Sequence, residues 1–394
     1  MAVRGIQDLH IKGARVFCRF DFNVPMNADG AIGDDTRIKR AVPTLNYIIN
    51  QGGRCIAASH LGRPKGERRP EMTLRPVAEY LSTLLGKEVA FASDCIGEVA
   101  SGAVGRMSDG AVLLLENLRF HPGETKNDPE FATQLASVAD AYVNDAFGTA
   151  HRAHASTVGV PKLLNQKAAG FLMKEELDNL GRALENPARP VLAIFGGAKV
   201  SDKLGILKNF GQTVDAMVIA GGMANTFLAA GGVAVGRSKV EDDMYETVGQ
   251  IQANAARTGC QIVLPEDVVV STGVEEAAGA KIVSLGEIPV DVMALDIGPK
   301  TIQRVLDIIR RSATIIWNGP MGVFEVEQFA QGTMEIAHGI AESSAFSLVG
   351  GGDTVRAVRK AGVENRISYI STGGGAFMEF LEGRTLPGVE ALES

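Results

Sequence analysis

Short apolar runs alternate with polar stretches along the whole chain, and the runs end differently in its two halves. In the first half, apolar runs at 15–17, 55–58, 111–115 and 141–143 lead into RFDFNVP (19–25), SHLGRP (59–64), ENLRFH (116–121) and NDAFGTAHRAH (144–154). Runs this short between polar segments read as strands buried on both faces of a parallel sheet. Residues 37–51, 74–85 and 131–139 carry apolar positions at helical spacing, so they are expected as helices between those strands. Such alternation implies βαβ units with right-handed crossovers. Parallel strands point their carboxyl ends one way, and ligands of such sheets bind outside those ends. Arg37, His60, Arg63, Arg119 and Arg152 are therefore expected to converge on one sheet edge. Guanidinium groups match phosphate in a bidentate way, which points to a small phosphorylated anion.

Residues 171–186 place Met173, Leu177, Leu180 and Leu184 at helical spacing, and Pro187 and Pro190 stop the pattern. This segment reads as a long helix joining two domains, with a surface helix inside one domain as the alternative. After Pro190 the alternation restarts. Runs at 191–194, 216–220, 292–295, 314–317, 345–349 and 367–370 end in FGGAKVSDK, GGMAN, DIGPK, NGPMGVFE, GGGDT and STGGGA. Glycine at a strand-to-helix turn lets backbone approach a ligand, and the helix start offers free N–H groups. Several such turns on one edge describe a nucleotide cradle, although a single GG turn is equally a tight connection. Lys199 and Lys203, four apart, are expected on one face at a helix mouth, aimed at phosphate. Asp353 suits a magnesium-side carboxylate or a helix N-cap, a role Thr354 could share. No Walker GxxxxGK[ST] sequence and no GxGxxG fingerprint is present.

Composition narrows the classes. The chain has 394 residues, a net charge of −7 and a hydrophobic fraction of 45%, which suits a soluble protein of two or three domains. The acidic balance argues against a general nucleic-acid or membrane binder. Cys18, Cys55, Cys95 and Cys260 lack metal-ligand spacing and read as buried structural thiols in a reducing compartment. His60, His121, His151 and His154 lie at strand ends without a fixed acidic partner, so a histidine metal site is not expected. Nor do Glu325 and Glu327, two apart, form an acid–base pair.

Taken together, RFDFNVP, DTRIKRAVPTL, SHLGRP, LENLRFH, NDAFGTAHRAHAS, GGAKVSDK, GGMANTF, WNGPMGVFE, GGGDT and STGGGAFMEFLEGRTLPGVEAL resemble the phosphoglycerate kinase family, in its order and over essentially the whole chain. The usual valine of the first motif is Phe20, expected to point into the core. The resemblance implies an α/β fold of two similar-sized Rossmann-like domains, each a parallel sheet wrapped by helices, joined by a long helix with a cleft between. It places the phosphoglycerate-binding domain at 1–170, the joining helix at 171–187 and the nucleotide-binding domain at 188–379, with 380–394 returning to the first.

The implied reaction moves the acyl phosphate of 1,3-bisphosphoglycerate to MgADP, giving MgATP and 3-phosphoglycerate. By the same resemblance Asp21, Phe22, Asn23, Arg37, His60, Leu61, Gly62, Arg63, Arg119 and Arg152 hold the glycerate and its 3-phosphate. Arg37, Lys199 and Gly374 serve the transferring group. Gly197, Ala198, Lys203, Asn318, Glu325, Gly351, Gly352, Asp353 and Thr354 hold ADP or ATP, with Glu325 on the ribose and Asp353 on Mg²⁺. A cytoplasmic monomer with small-molecule substrates, and with neither nucleic acid nor membrane as partner, is expected. Two other readings fit the residues themselves: a non-catalytic anion-binding protein, which has no use for Lys199, Lys203 and Asp353, and a kinase of another sugar acid.

Overall fold

The structure, a computed structural model, describes residues 3–393. Its chain divides into two compact units. One ends at Asp178 and takes back the chain from Thr385 onward; the other is Asn179–Arg384. The division falls inside the helix Phe171–Leu184.

The first unit is built on a six-stranded sheet of β1 (Arg15–Phe20), β2 (Arg54–Ala58), β3 (Val89–Ala92), β4 (Val112–Leu115), β5 (Ala141–Asp145) and β6 (Gln166–Ala169). They lie in the order β3-β4-β2-β1-β5-β6, all parallel. Strands β4 and β5 are buried at every position, as continuous apolar runs in a doubly covered sheet should be. Helices Thr36–Asn50, Arg75–Leu85 and Pro129–Ala136 fill expected segments. The second starts with a proline in its first turn and stops at Gly86 in the left-handed region. The third starts at Asp128, whose carboxylate accepts from the Phe131 N–H.

Phe20 is fully buried and stacks on Phe22, with centroids 5.3 Å apart. All four cysteines are buried and unpaired to one another. A helix at Pro387–Glu393 packs on the 155–163 segment of this same unit, and the Gly388 N–H donates to the Ala150 carbonyl.

In the second unit β7 (Val191–Phe195), β8 (Ala216–Ile219), β9 (Gln261–Val263), β13 (Thr314–Asn318), β14 (Phe346–Val349) and β15 (Tyr369–Ile370) form another parallel sheet, ordered β15-β14-β13-β7-β8-β9. Trp317 is fully buried in its core, and its indole N–H donates to the Gly319 carbonyl.

The run at 292–295 corrects an expectation. It belongs to β12 (Met293–Ile297), which pairs antiparallel with β10 (Asp267–Ser271), itself antiparallel to β11 (Lys281–Ser284). The DIGPK turn therefore leaves a separate three-stranded sheet. The physical reason is solvent: β11 and the start of β12 are only partly covered, as antiparallel sheets permit and buried parallel ones do not. No helix among the described residues is long and apolar enough to cross a membrane.

Candidate active site

On the first unit, the adjacent strands β4, β2, β1 and β5 bring four basic segments to one edge. Arg37, in the first turn of Thr36–Asn50, donates to Asp21 Oδ2 at 3.1 Å and to the Asn23 carbonyl at 2.9 Å. Asn23 in turn accepts from the Gly62 N–H at 2.8 Å, which joins the β1 and β2 turns. The Phe22 N–H donates to Ser59 Oγ at 2.8 Å, a second clamp between them. Arg119 donates to the Gly62 carbonyl at 2.8 Å, and Asn117 reaches the Leu61 carbonyl at 2.7 Å. Phe22 and Leu61 are buried, so they shape this edge by packing.

His60 and Arg119 are buried, whereas Arg63 and Arg152 are exposed. The Arg119 Nε is buried without a hydrogen-bond partner, and a buried unmet donor calls for an acceptor. Burial, then Arg19 and Arg152, push the Arg119 pKa down to about 10. Burial, then Arg19, Arg119 and Arg37, hold His60 well below the usual imidazole range, and burial, then Arg119, Arg19 and Arg152, bring His154 down to about 3. These shifts report a crowded positive field, the environment that attracts an anion.

Sequence reasoning missed the support beneath this edge. Arg19 is wholly buried and donates to Ser156 Oγ at 2.9 Å, while Ser156 donates to the buried Glu124 at 2.6 Å. RFDFNVP contained the signal: an arginine inside an otherwise apolar strand must find a partner. Glu124 carried no such signal, because it sits in an ordinary polar stretch.

On the second unit, Gly197, Ala198, Glu325 and Asp353 line one cavity of about 340 Å³, together with Gly221, Asn225 and Leu295. Its wall is continued by Val268 and Met293 of the three-stranded sheet, so that sheet does take part. Lys199, Lys203, Asn318, Gly351, Gly352, Thr354 and Gly374 are not among the residues lining that cavity.

Lys199 and Lys203 do not share a helix face. Residues 196–200 are irregular, a short 3₁₀ turn spans Ser201–Lys203, and the helix begins only at Leu204. Lys199 is exposed, whereas Lys203 is buried with its ammonium 2.6 Å from both the Gly196 and Asn318 carbonyls. Helical spacing fails because Glu241, 40 residues on, ties the loop open: it accepts from the Val200 and Ser201 N–H groups and the Ser201 hydroxyl. Burial pulls the Lys203 pKa down to about 7, against Asp353 and Asp202.

The glycines separate by surroundings. A Cβ on Gly196 would lie 1.7 Å from the Pro320 carbonyl oxygen, so this glycine serves backbone packing. Gly352 and Gly374 face open space, and their absent side chains leave room for a ligand. Gly351 caps the helix Gly352–Lys360 at φ +93°, so neither Asp353 nor Thr354 is its N-cap. Thr354 instead accepts from the Gly319 N–H at 2.7 Å, and Asn318 donates to the Gly350 carbonyl at 2.8 Å. Glu325 and Asp353 share Arg356, at 3.2 and 2.8 Å.

One unit thus offers a partly buried cationic edge, the other a cavity bordered by strand-end glycines. The family model for phosphoglycerate kinase matches residues 6–384. The chain belongs to the phosphoglycerate kinase family. It is 53% identical to the phosphoglycerate kinase of Pelotomaculum thermopropionicum over 392 residues, covering 100% of this chain and 99% of that one. It is also 53% identical to that of Geotalea daltonii, covering 98% and 97%. Among solved structures, that of phosphoglycerate kinase from Coxiella burnetii aligns with a TM-score of 0.94 at 41% identity, over 99% of each chain. The Pyrococcus horikoshii enzyme aligns at 0.82 and 34%, over 99% of this chain and 98% of that one. Its class is therefore a phosphotransferase of glycolysis, and the non-catalytic anion-binding reading falls away.

Proposed function

We propose that the cationic edge of the first unit holds 3-phosphoglycerate or 1,3-bisphosphoglycerate and the cavity of the second holds MgADP or MgATP. The observation that carries this reading is the company kept by the anion edge. Its side chains are mostly cations or neutral donors; of the carboxylates near it, Asp21 is paired with Arg37 and Glu124 is buried beneath the edge on Ser156. Such a site suits a reaction that moves no proton. The attacking oxygen of ADP is already ionised near neutral pH, and the leaving group is a carboxylate. What remains is alignment and neutralisation of charge on the transferring phosphoryl group.

Arg37 and Lys199 supply that charge in our reading, with backbone N–H groups at Gly374. Arg63, Arg119 and Arg152 take the 3-phosphate, with His60, Asn23 and Asp21 on the glycerate. Glu325 takes the ribose, Lys203 and the 351–354 turn take the phosphates, and Asp353 the Mg²⁺ that accompanies them. Asp353 fits that role chemically: its carboxylate borders the cavity and is 67% exposed, so Arg356 can be exchanged at little cost. The ion supplies charge neutralisation on the nucleotide phosphates. Transfer then requires the two bound substrates to be brought together with water excluded, since an acyl phosphate hydrolyses readily. With the residues for each substrate on one chain a monomer suffices in this reading, and we place the reaction in the cytoplasm.

The test is a reaction of 3-phosphoglycerate with MgATP in the presence of hydroxylamine. Hydroxamate above the enzyme-free control is expected; its absence at saturating substrates would sink the substrate assignment. A panel of other sugar acids should give less than a hundredth of that signal.

A further inference from the structure

Arg19 stands on β1 with no exposed surface, beneath the edge assigned to 3-phosphoglycerate. Its guanidinium makes three separate commitments. Nε donates to Ser156 Oγ, one terminal nitrogen donates to the Phe20 carbonyl, and the other lies 3.0 Å from His60 Nδ1. Ser156 in turn donates to Glu124, whose two oxygens accept from its hydroxyl at 2.6 Å and its N–H at 3.0 Å. Glu124 is wholly buried, so Ser156 links Arg19 to a buried carboxylate without a direct ion pair.

A guanidinium has donors and no acceptor. The contact with His60 is therefore attractive only if Nδ1 offers its lone pair. An imidazole that accepts at Nδ1 carries its proton on Nε2. The imidazolium is excluded by the same geometry, since it would set donor against donor. The groups facing His60 agree: Arg19, Arg119, Arg37 and His154 supply positive charge or a neutral ring, and burial adds to their effect.

We propose that Arg19 is a positioning residue that does not touch substrate and that fixes His60 as the neutral Nε2–H tautomer, a donor to the phosphoglycerate. This rests on His60 as a substrate ligand. Its consequence is a ring that neither changes charge nor turns its lone pair toward the anion across the working pH range. A histidine free to take the Nδ1–H form would set an acceptor against the anion for part of the time.

The test begins with the whole wild-type protein, labelled with ¹⁵N-histidine and free of substrate. Long-range ¹H–¹⁵N correlations, assigned through a His60→Gln variant, should show Nε2 protonated and Nδ1 bare from pH 5 to 8. An Nδ1–H signal, or a ring titrating near 6.5, overturns the proposal without any variant having to fold. Arg19→Met removes the donor at similar length. It should give mixed tautomers and raise KM for 3-phosphoglycerate about tenfold, with a smaller change in kcat. Arg19→Lys, which restores a donor, should recover the Nε2–H signal. A His60 ring still held as Nε2–H in a folded Arg19→Met also refutes the idea. Failure of wild-type protein to bind 3-phosphoglycerate would count against the substrate assignment alone and would leave the tautomer result intact.

Discussion

Lys203 provides a test in which protons are counted. Burial draws its pKa down to about 7 although both ammonium contacts are carbonyl oxygens. At pH 8 the ammonium is then about 90% deprotonated, at pH 7 about half and at pH 6 about 10%. Nucleotide phosphates beside it return the pKa toward the ordinary lysine range near 10.4. Binding MgADP must therefore take up about 0.9 proton at pH 8, about 0.5 at pH 7 and about 0.1 at pH 6. The sign follows: the bound state holds more protons, so affinity falls as pH rises above 7, by up to about tenfold per unit until the bound-state pKa is reached.

Titration calorimetry at pH 8 in HEPES and in Tris gives the proton number from the difference in observed heat. At that pH the nucleotide phosphates are fully ionised and contribute little. Lys203→Met should bind more weakly and take up almost no proton. An uptake below about 0.2 proton in the wild type at pH 8, or an equal uptake in Lys203→Met, would show that Lys203 is not the group that meets the phosphates.

Arg119→Ala should weaken 3-phosphoglycerate binding by about 1.5–3 kcal/mol, roughly 10- to 150-fold, because it removes one charge-assisted donor. MgADP affinity, measured in parallel by calorimetry, should stay within twofold. Lys199→Ala should lower kcat by about 10²-fold or more while nucleotide Kd moves only a few-fold, since its charge acts on the transition state. An equal loss in Kd would reassign it to ground-state binding. Asp145, buried at the end of β5, accepts from the Met173 N–H, and burial raises its pKa to about 7. Between about pH 4 and 7 the folded state holds a proton that the unfolded state has lost, so stability falls as pH rises through that window. Asp145→Asn should recover up to roughly 4 kcal/mol at pH 8 and nothing at pH 4, read from denaturant melts at the two pH values.

Sequence pattern reached the parallel strands because each is a closed apolar run ended by a glycine or a polar turn. It passed over β3, β6 and β9, which are short edge-side strands; QKAA carries almost no apolar signal. It misplaced β12 because a run of four apolar residues looks the same in an antiparallel sheet and a parallel one. The basic edge was legible because strand direction alone fixes where its arginines go. The two lysines were not, because their geometry depends on Glu241, far away in sequence. Burial by tertiary packing, which sets the states of His60 and Lys203, leaves no local trace.

The helix Pro387–Glu393 belongs to the first unit, yet the chain reaches it only after the whole of Asn179–Arg384. During synthesis from the amino end, the second unit is complete in sequence before the first. On the ribosome the earlier-made unit must wait with its 155–163 surface bare while a later-made one acquires its fold. A chain cut back to end at Arg384 should therefore fold its second unit beside an unfinished first, and the missing helix supplied as a peptide should be what completes it.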